Sequence, residues 1–393
     1  MLYTLLKPLS NFWKPKDIQI YNNVFNLHGK FTVAMLVIFS LIISAKEYFG
    51  EPIKCINDPM DKTDKTFIEY YCWIHGTYIL KNFLNVTKRE AIIAPGITVV
   101  QGVSAERDRI YQKYYQWVAF ILVLMAVAMR VPTYMWKIWE GGRLKSVCQD
   151  FGSPLTSSHW NGVESVRIVR YLRQKRHKDL HRWYAYRFIS CEVLNFFAIL
   201  GVMWVLELFL HDFWFTYAEA VQSMFRMDSS GWIINTARIF PKLAKCDVYK
   251  VGVSGSMQNN DYLCLLPLNI INEKIFAILW VWMIFVFIVS AINTLCKVVI
   301  FVCPLIRLKM LYSQIHDHSD QKYSSIYHIT YGGDFGQWFF LYQMSRNLNP
   351  VIFNEIISDL IKYDKEKMMN EKKKRTLEPN ENHEDTIYIE ETI

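Results

Sequence analysis

The stretch KYYQWVAFILVLMAVAM, residues 113–129, decides the fold. It opens on Tyr114, Tyr115, Gln116 and Trp117, then turns almost wholly apolar through Met129, and Arg130 to Trp136 carry it further. That length meets the roughly 20 apolar residues a bilayer requires. Tyr and Trp favour headgroup depth, where a ring is apolar on one side and hydrogen-bonded on the other. The sequence therefore predicts a membrane span over 114–136, with Tyr114, Tyr115 and Trp117 at one membrane face and Trp136 and Trp139 at the other.

Three more runs qualify. Phe276 to Cys296 carries no charge; Phe31 to Ala45 is shorter and is extended by Tyr48 and Phe49. Tyr184 to Leu210 is interrupted by Arg187, Glu192 and Glu207, and its preceding Trp183 repeats the aromatic threshold. Of 393 residues 52% are hydrophobic and 20% charged, and the apolar ones are gathered in these runs rather than spread at core periodicity, which argues against a string of soluble domains. The net charge of +8 comes without a basic stripe interleaved with stacking aromatics outside the loops, so no nucleic-acid partner is expected.

Sidedness follows from the cations. Residues 137–183 hold Lys137, Arg143, Lys145, Arg167, Arg170, Arg173, Lys175, Arg176, Lys178 and Arg182 against Glu140, Asp150, Glu164 and Asp179. The amino-terminal segment adds Lys7, Lys14, Lys16 and Lys30, and Arg307 and Lys309 follow the last run, whereas residues 211–273 are nearly balanced. By the positive-inside rule both termini and the 137–183 loop are cytoplasmic. Pro8 and Pro15 interrupt the amino-terminal segment before a signal-peptide core develops, so the first span serves as its own insertion signal. Cys55 and Cys72 then fall in the first outside loop and Cys246 and Cys264 in the second, while Cys148, Cys191, Cys296 and Cys303 lie in cytoplasm or membrane. Even numbers facing an oxidising compartment suggest one disulfide framework per loop, with pairing within or between loops left open.

These residues resemble the innexin family, from about Asn22 to Leu360. Tyr114-Tyr115-Gln116-Trp117 is similar to the family's YYQW signature. Gly50-Glu51-Pro52-Ile53-Lys54-Cys55 and Tyr71-Cys72-Trp73 resemble the two motifs around the first-loop cysteines. Trp139-Glu140-Gly141-Gly142-Arg143-Leu144, Cys191-Glu192-Val193-Leu194-Asn195, and Leu265 to Lys274 (LLPLNIINEK) look like insect-type members in particular. The resemblance, which extends to virus-carried copies, implies a gap-junction protein of the plasma membrane. Its subunits would form a ring, eight in members of known architecture, alone or with other innexins. Each ring would dock through its outside loops with a hemichannel of an apposed cell and pass ions and small metabolites. Connexins carry three cysteines per outside loop; pannexins share the two-cysteine plan without the insect-type motifs. The implied fold is an all-α membrane protein: a four-transmembrane-helix bundle, a small disulfide-stapled extracellular α/β region, and a helical cytoplasmic cap, assembling as a ring.

The expected partition is a pore-funnel segment over 1–29, spans over 30–49, 114–136, 184–210 and 274–303, outside loops over 50–113 and 211–273, a cytoplasmic loop over 137–183, a helical carboxy-terminal region over 304–363, and a disordered tail over 364–393. Pro132 is expected to kink the second span. Arg130 precedes it, where the family usually has an arginine just after the proline. Glu192 at membrane depth needs a partner, with Arg187 and Arg130 as candidates, and Glu207 is interfacial. Lys46, Glu47, Glu51 and Lys54 are pore-mouth candidates, since a ring multiplies each charge; relatives commonly carry Asp where Lys54 stands. Leu2 to Leu6 would fold into the vestibule. Asn85-Val86-Thr87 is an N-glycosylation sequon. His177 and His181, four apart, have helical metal-ligand spacing but no third ligand, and read as solvated. The 364–393 tail is charged and poor in core formers, and Lys372 to Arg375 could touch anionic lipid. No Walker loop, nucleophile elbow, HExxH or carboxylate cluster is found, so no enzyme activity, cofactor or metal is expected. The alternative to a channel subunit is a non-conducting adhesion or scaffold protein, or a dominant modifier of another organism's junctions.

Overall fold

In the computed structural model, residues 18–56, 64–81, 84, 94–97, 108–148, 162–251, 253–315, 326–327 and 334–377 are described. In chain order the elements begin with α1 (Asn23–Phe49), β1 (Lys54–Cys55), α2 (Lys65–His75), β2 (Thr77–Leu80) and β3 (Arg109–Gln112). Then come α3 (Val118–Glu140), α4 (Arg143–Cys148), α5 (Gly162–Arg173), α6 (Lys175–Leu210), α7 (Phe213–Phe225) and α8 (Ser229–Ile239). The chain ends with β4 (Leu243–Val251), β5 (Met257–Leu265), α9 (Pro267–Val302), α10 (Pro304–Tyr312), α11 (Phe335–Ser345) and α12 (Pro350–Leu377).

The four apolar runs all become helices long and apolar enough to cross a membrane: α1, α3, α6 from His177 onward, and α9. α9 has 36 residues, about 54 Å at the helical rise, so it outreaches a hydrocarbon core of about 30 Å. The helix boundaries depart from the expected spans for local reasons. α9 starts ahead of 274 because Pro267, which has no N–H to leave unpaired, suits a first helical position. α3 starts only at Val118, because Tyr114–Gln116 form a 3₁₀ turn closed by Trp117 N–H donating to the Tyr114 carbonyl at 2.8 Å. α1 begins at Asn23 and contains a π-helical turn over Leu27–Thr32.

The chain divides into two units, and three of the four divisions fall inside spanning helices. One unit comprises Asn23–Tyr134 and Val193–Asn293. Its helical core gathers Leu36, Leu122, Met125, Ile199, Leu206 and Met283, all nearly or fully buried. Lipid tails are as apolar as leucine, so such helices associate through close packing and interhelical hydrogen bonds rather than hydrophobicity. Ser40 accordingly donates its hydroxyl to the Ala119 carbonyl at 3.0 Å.

The same unit carries a five-stranded antiparallel sheet in the order β1-β5-β4-β2-β3. The β4–β5 hairpin, in register from Leu243↔Leu265 to Val251↔Met257, comes from the second loop. Strands of the first loop flank it: β1 pairs with β5 and β2 with β4. Ala244, Cys246 and Val248 alternate inward along β4, the period-2 pattern of a one-sided sheet. They pack with Ile68 and Cys72 of α2. The segments that follow the first and third spans thus make one folded body, the head.

The other unit comprises Met1–Asn22, Met135–Glu192 and Thr294–Ile393. Its interior is aromatic: Trp136 meets Tyr184 and Phe188 edge-on, with both centroid distances 5.0 Å. Glu140, buried, accepts from the Gly142 and Leu144 amides at 2.7 and 2.8 Å and so caps α4, while Gly141 and Gly142 make the turn at φ of 60° and 78°. This is the local logic of the Trp139–Leu144 motif. α12 corrects the expected tail: its helix runs through 364–377 to Leu377 instead of ending before Asp364. The segment is built from Lys, Glu and Met, strong helix formers, with no Gly or Pro before Pro379. Its first turn past the expected boundary is anchored by an ion pair between Asp364 and Arg173 of α5. Residues 378–393 lie outside the described residues.

Candidate functional site: the bridged head and the polar contacts of the spans

Two disulfides hold the head, and both run between the loops. Cys55 on β1 is bonded to its register partner Cys264 on β5. Cys72 on α2 is bonded to Cys246 on β4. The expectation of one framework per loop is therefore corrected: interleaved strands bring each first-loop cysteine against a second-loop cysteine, so there is a single framework spanning both. Beside the bridges, Arg109 pairs with Asp247 at 2.6 Å with both side chains about 10% exposed. Tyr78 donates to the same carboxylate at 2.9 Å, and Arg109 stands 4.4 Å above its ring. Burial, reinforced by Asp247, pushes the Tyr78 phenol well above its ordinary range. The sequence did not single out this trio, because its members lie on three strands whose pairing no local pattern reveals.

The block Tyr114–Trp117 sits where α3 meets this head. Tyr115 is 1% exposed, stacks on Trp73 at 4.5 Å, and donates its hydroxyl to the Cys72 carbonyl at 3.4 Å. Gln116 donates to the Trp73 carbonyl at 2.5 Å. Tyr114 packs edge-on against Phe240 at 5.5 Å. Only Trp117 is exposed, at 60%. The tyrosines are not free rings at a membrane face: they serve as mortar between the helix and the Cys72 segment, and Trp117 alone keeps an exposed ring. A ring with one hydroxyl suits that job because it fills apolar space and still reaches a carbonyl. Trp136 and Tyr184 are likewise buried, whereas Trp183 stays 62% exposed.

Among the intramembrane polar residues, Glu192 is 3% exposed, accepts from Asn22, and meets the Lys297 ammonium at 3.5 Å. Lys297, the residue that directly follows the charge-free run, was not among the partners expected. The Arg187 guanidinium instead lies over the Trp139 ring at 5.8 Å. Arg130 donates to the Gly29 carbonyl at 2.5 Å, within the π-turn of α1. Thr133 packs on the same glycine, so that a Cβ built on Gly29 would stand 2.2 Å from the Thr133 hydroxyl. The turn is also held by Trp282, which donates to the Thr32 hydroxyl at 3.0 Å, while that hydroxyl donates to the Leu27 carbonyl at 3.0 Å. Pro132 lies between Arg130 and Thr133 inside α3, so the residues that flank the proline grip one irregular turn. π-turns mark functional positions in helices.

At the far end of α1, Lys54 and Glu51 form an exposed ion pair, while Lys46 and Glu47 are half-buried on the last turn. His181 is buried, 2% exposed, and stacks on Phe340 at 4.3 Å, so its solvated reading is corrected; His177 lies 4.3 Å from the Tyr171 ring. Among the described residues the one three-ligand group of metal-site spacing, Cys55, Cys72 and Cys264, is spent in the disulfides. Glu207 accepts from the Trp214 amide at 3.3 Å. Asn85 and Leu2 to Leu6 lie outside the described residues. Sequence reading also passed over Glu273, which is fully buried and takes Lys242 and the Thr236 hydroxyl, each at 3.0 Å. Its signal was available: Asn269, Asn272 and Glu273 share one face at helical spacing, an unusual polar cluster at the head of an apolar run.

Four membrane-spanning helices, with two loops cross-bridged into one sheet-bearing head, define a class of disulfide-stapled four-span membrane proteins. The innexin family model matches residues 21–363. The chain is 37% identical to innexin inx4 of Anopheles gambiae over 91% of both chains. It is 35% identical to innexin inx4 of Drosophila melanogaster, over 91% of this chain and 96% of that one. It is 34% identical to innexin inx2 of the same fly, over 91% and 95%. The chain belongs to the innexin family.

Proposed function

We propose that this chain is a structural subunit of gap-junction channels and hemichannels in the plasma membrane, passing ions and small metabolites. The observation that carries the reading is the head. Two inter-loop bridges and a shared sheet fix both loops in one rigid frame, which is what a surface needs if it is to meet a matching surface without paying an ordering entropy. Membership of a family of channel proteins rather than enzymes supports it.

The finer reading is a ring of eight, alone or with other innexins, docked head to head with the ring of an apposed cell. Both termini and residues 137–183 face the cytoplasm, in keeping with the cation excess there. Lys46, Glu47, Glu51 and Lys54 stand at the pore mouth, and Leu2 to Leu6 enter the vestibule. A sugar on Asn85 would obstruct docking and leave a lone hemichannel; a mobility shift on deglycosylation, absent in Asn85→Gln, reports it. Paired voltage clamp of cells both expressing the protein tests the main reading. Current between the cells is expected; adhesion without current would favour a scaffold instead.

A further inference from the structure

A groove of about 930 Å³ runs between α9 and the α7–α8 segment. Its walls are Val221 and Met224 on one side and Ala277, Ile278, Val281 and Phe285 on the other. Its polar groups are gathered at one end: Lys274, Asp228 and Ser229. From Lys274 to Phe285 α9 rises about 16 Å, half of a hydrocarbon core of about 30 Å. That length matches one leaflet, and Lys274 stands just outside the charge-free run that begins at Phe276, where a headgroup level is expected.

The charges there have capacity to spare. Lys274 is 62% exposed, lies 4.8 Å above the Trp232 ring, and reaches Glu273 only at 3.7 Å. Glu273 is already served by Lys242 and Thr236 at 3.0 Å. One oxygen of Asp228 accepts from the Ser230 amide to cap α8, and the carboxylate keeps a second oxygen. The Trp232 indole N–H, at the same end, is buried without an acceptor among the described residues. Phe225 and Met227 beside the groove are 76% and 93% exposed, a bare apolar surface that water would not favour.

We infer that the groove is a binding site for a zwitterionic glycerophospholipid of the leaflet on the head side, its phosphate on Lys274, its ammonium toward Asp228, and an acyl chain along Ala277 to Phe285. A phosphate and an ammonium joined by a short link match a cation and an anion at one end of an apolar trough. A second copy of the chain would have no reason to segregate charge to headgroup depth. The site is independent of whether the rings conduct, since it needs only α9 to span.

The full-length protein in nanodiscs containing phosphatidylethanolamine with a diazirine-bearing acyl chain tests this. Photolysis and peptide mapping should place adducts on 221–232 and 274–285. Unlabelled phosphatidylethanolamine should compete, and diacylglycerol, which lacks the phosphate, should not. Lys274→Glu should lower the yield about tenfold, with Lys274→Arg restoring it. Ile278→Trp, which fills the trough, should lower it as well while the oligomer keeps its mass. Adducts elsewhere, equal competition by diacylglycerol, or undiminished yield in Lys274→Glu and Ile278→Trp would each overturn the site. A change of oligomer mass in Ile278→Trp with adducts intact would also overturn it, making the groove a seat for a neighbouring subunit. Conductance between cells is not read in this assay, so its failure and that of the channel reading are separable.

Discussion

At Gly29 two side chains meet one backbone position, Arg130 on its carbonyl and Thr133 against its Cα, while Trp282 holds the same turn through Thr32. A methyl group there has no room, and overpacking of this kind costs about 1–3 kcal/mol. Gly29→Ala should therefore lower the thermal midpoint and the yield of assembled protein in detergent. Thr133→Gly in the same chain should restore most of both, because it removes the clashing atoms; no rescue would mean the glycine is needed for its backbone rather than its space. Lys54 poses a different question. Its ion pair with Glu51 is exposed and is worth no more than about 1 kcal/mol, so the head should survive its loss. Lys54→Asp replaces a neutral pair with two negative charges in every subunit, and a ring multiplies the change in local potential. The reversal potential in a salt gradient should shift toward cation preference; an unmoved value would take Lys54 out of the mouth.

Among the elements, the spans were legible and the head was not. Runs such as Phe276 to Cys296 announce a helix by length and apolarity alone, and the structure lengthens several of them past the apolar run, α9 through Pro267 and the polar face of Asn269, Asn272 and Glu273 and α6 back to Lys175. β1 has two residues and β2 four, too short for any alternating pattern to register. Their partners lie far along the chain, so neither the sheet order nor the disulfide pairing was readable. Tyr115 was misread because a half-polar ring looks the same in sequence whether it meets headgroups or a carbonyl, and His181 because its charged neighbours in HKDLH hide that its ring stacks on the distant Phe340. The inter-loop pairing is directly checkable. Non-reducing peptide mapping should recover Cys55 linked to Cys264 and Cys72 linked to Cys246, and a Cys55–Cys72 peptide would contradict the sheet. Cys55→Ser, Cys264→Ser and the double variant should be destabilised alike, by about 2–5 kcal/mol, because each removes the same bridge.

For the molecule as a whole the decisive arrangement is the wiring of four crossings. Epitope tags at either terminus should be labelled only after permeabilisation, and a tag in residues 254–256 of the β4–β5 turn on intact cells. Labelling of a terminus on intact cells would invert the proposed sidedness and remove the head from the cell exterior. The interleaved bridges also set a timetable for synthesis. Cys55 precedes its partner by 209 residues and Cys72 by 174. At roughly 5–20 residues per second, a ribosome makes the first thiol wait roughly 10–40 s for its mate. Throughout that interval the nearest available sulfur is the wrong one, so the nascent chain depends on slow oxidation, or on an isomerase able to undo haste.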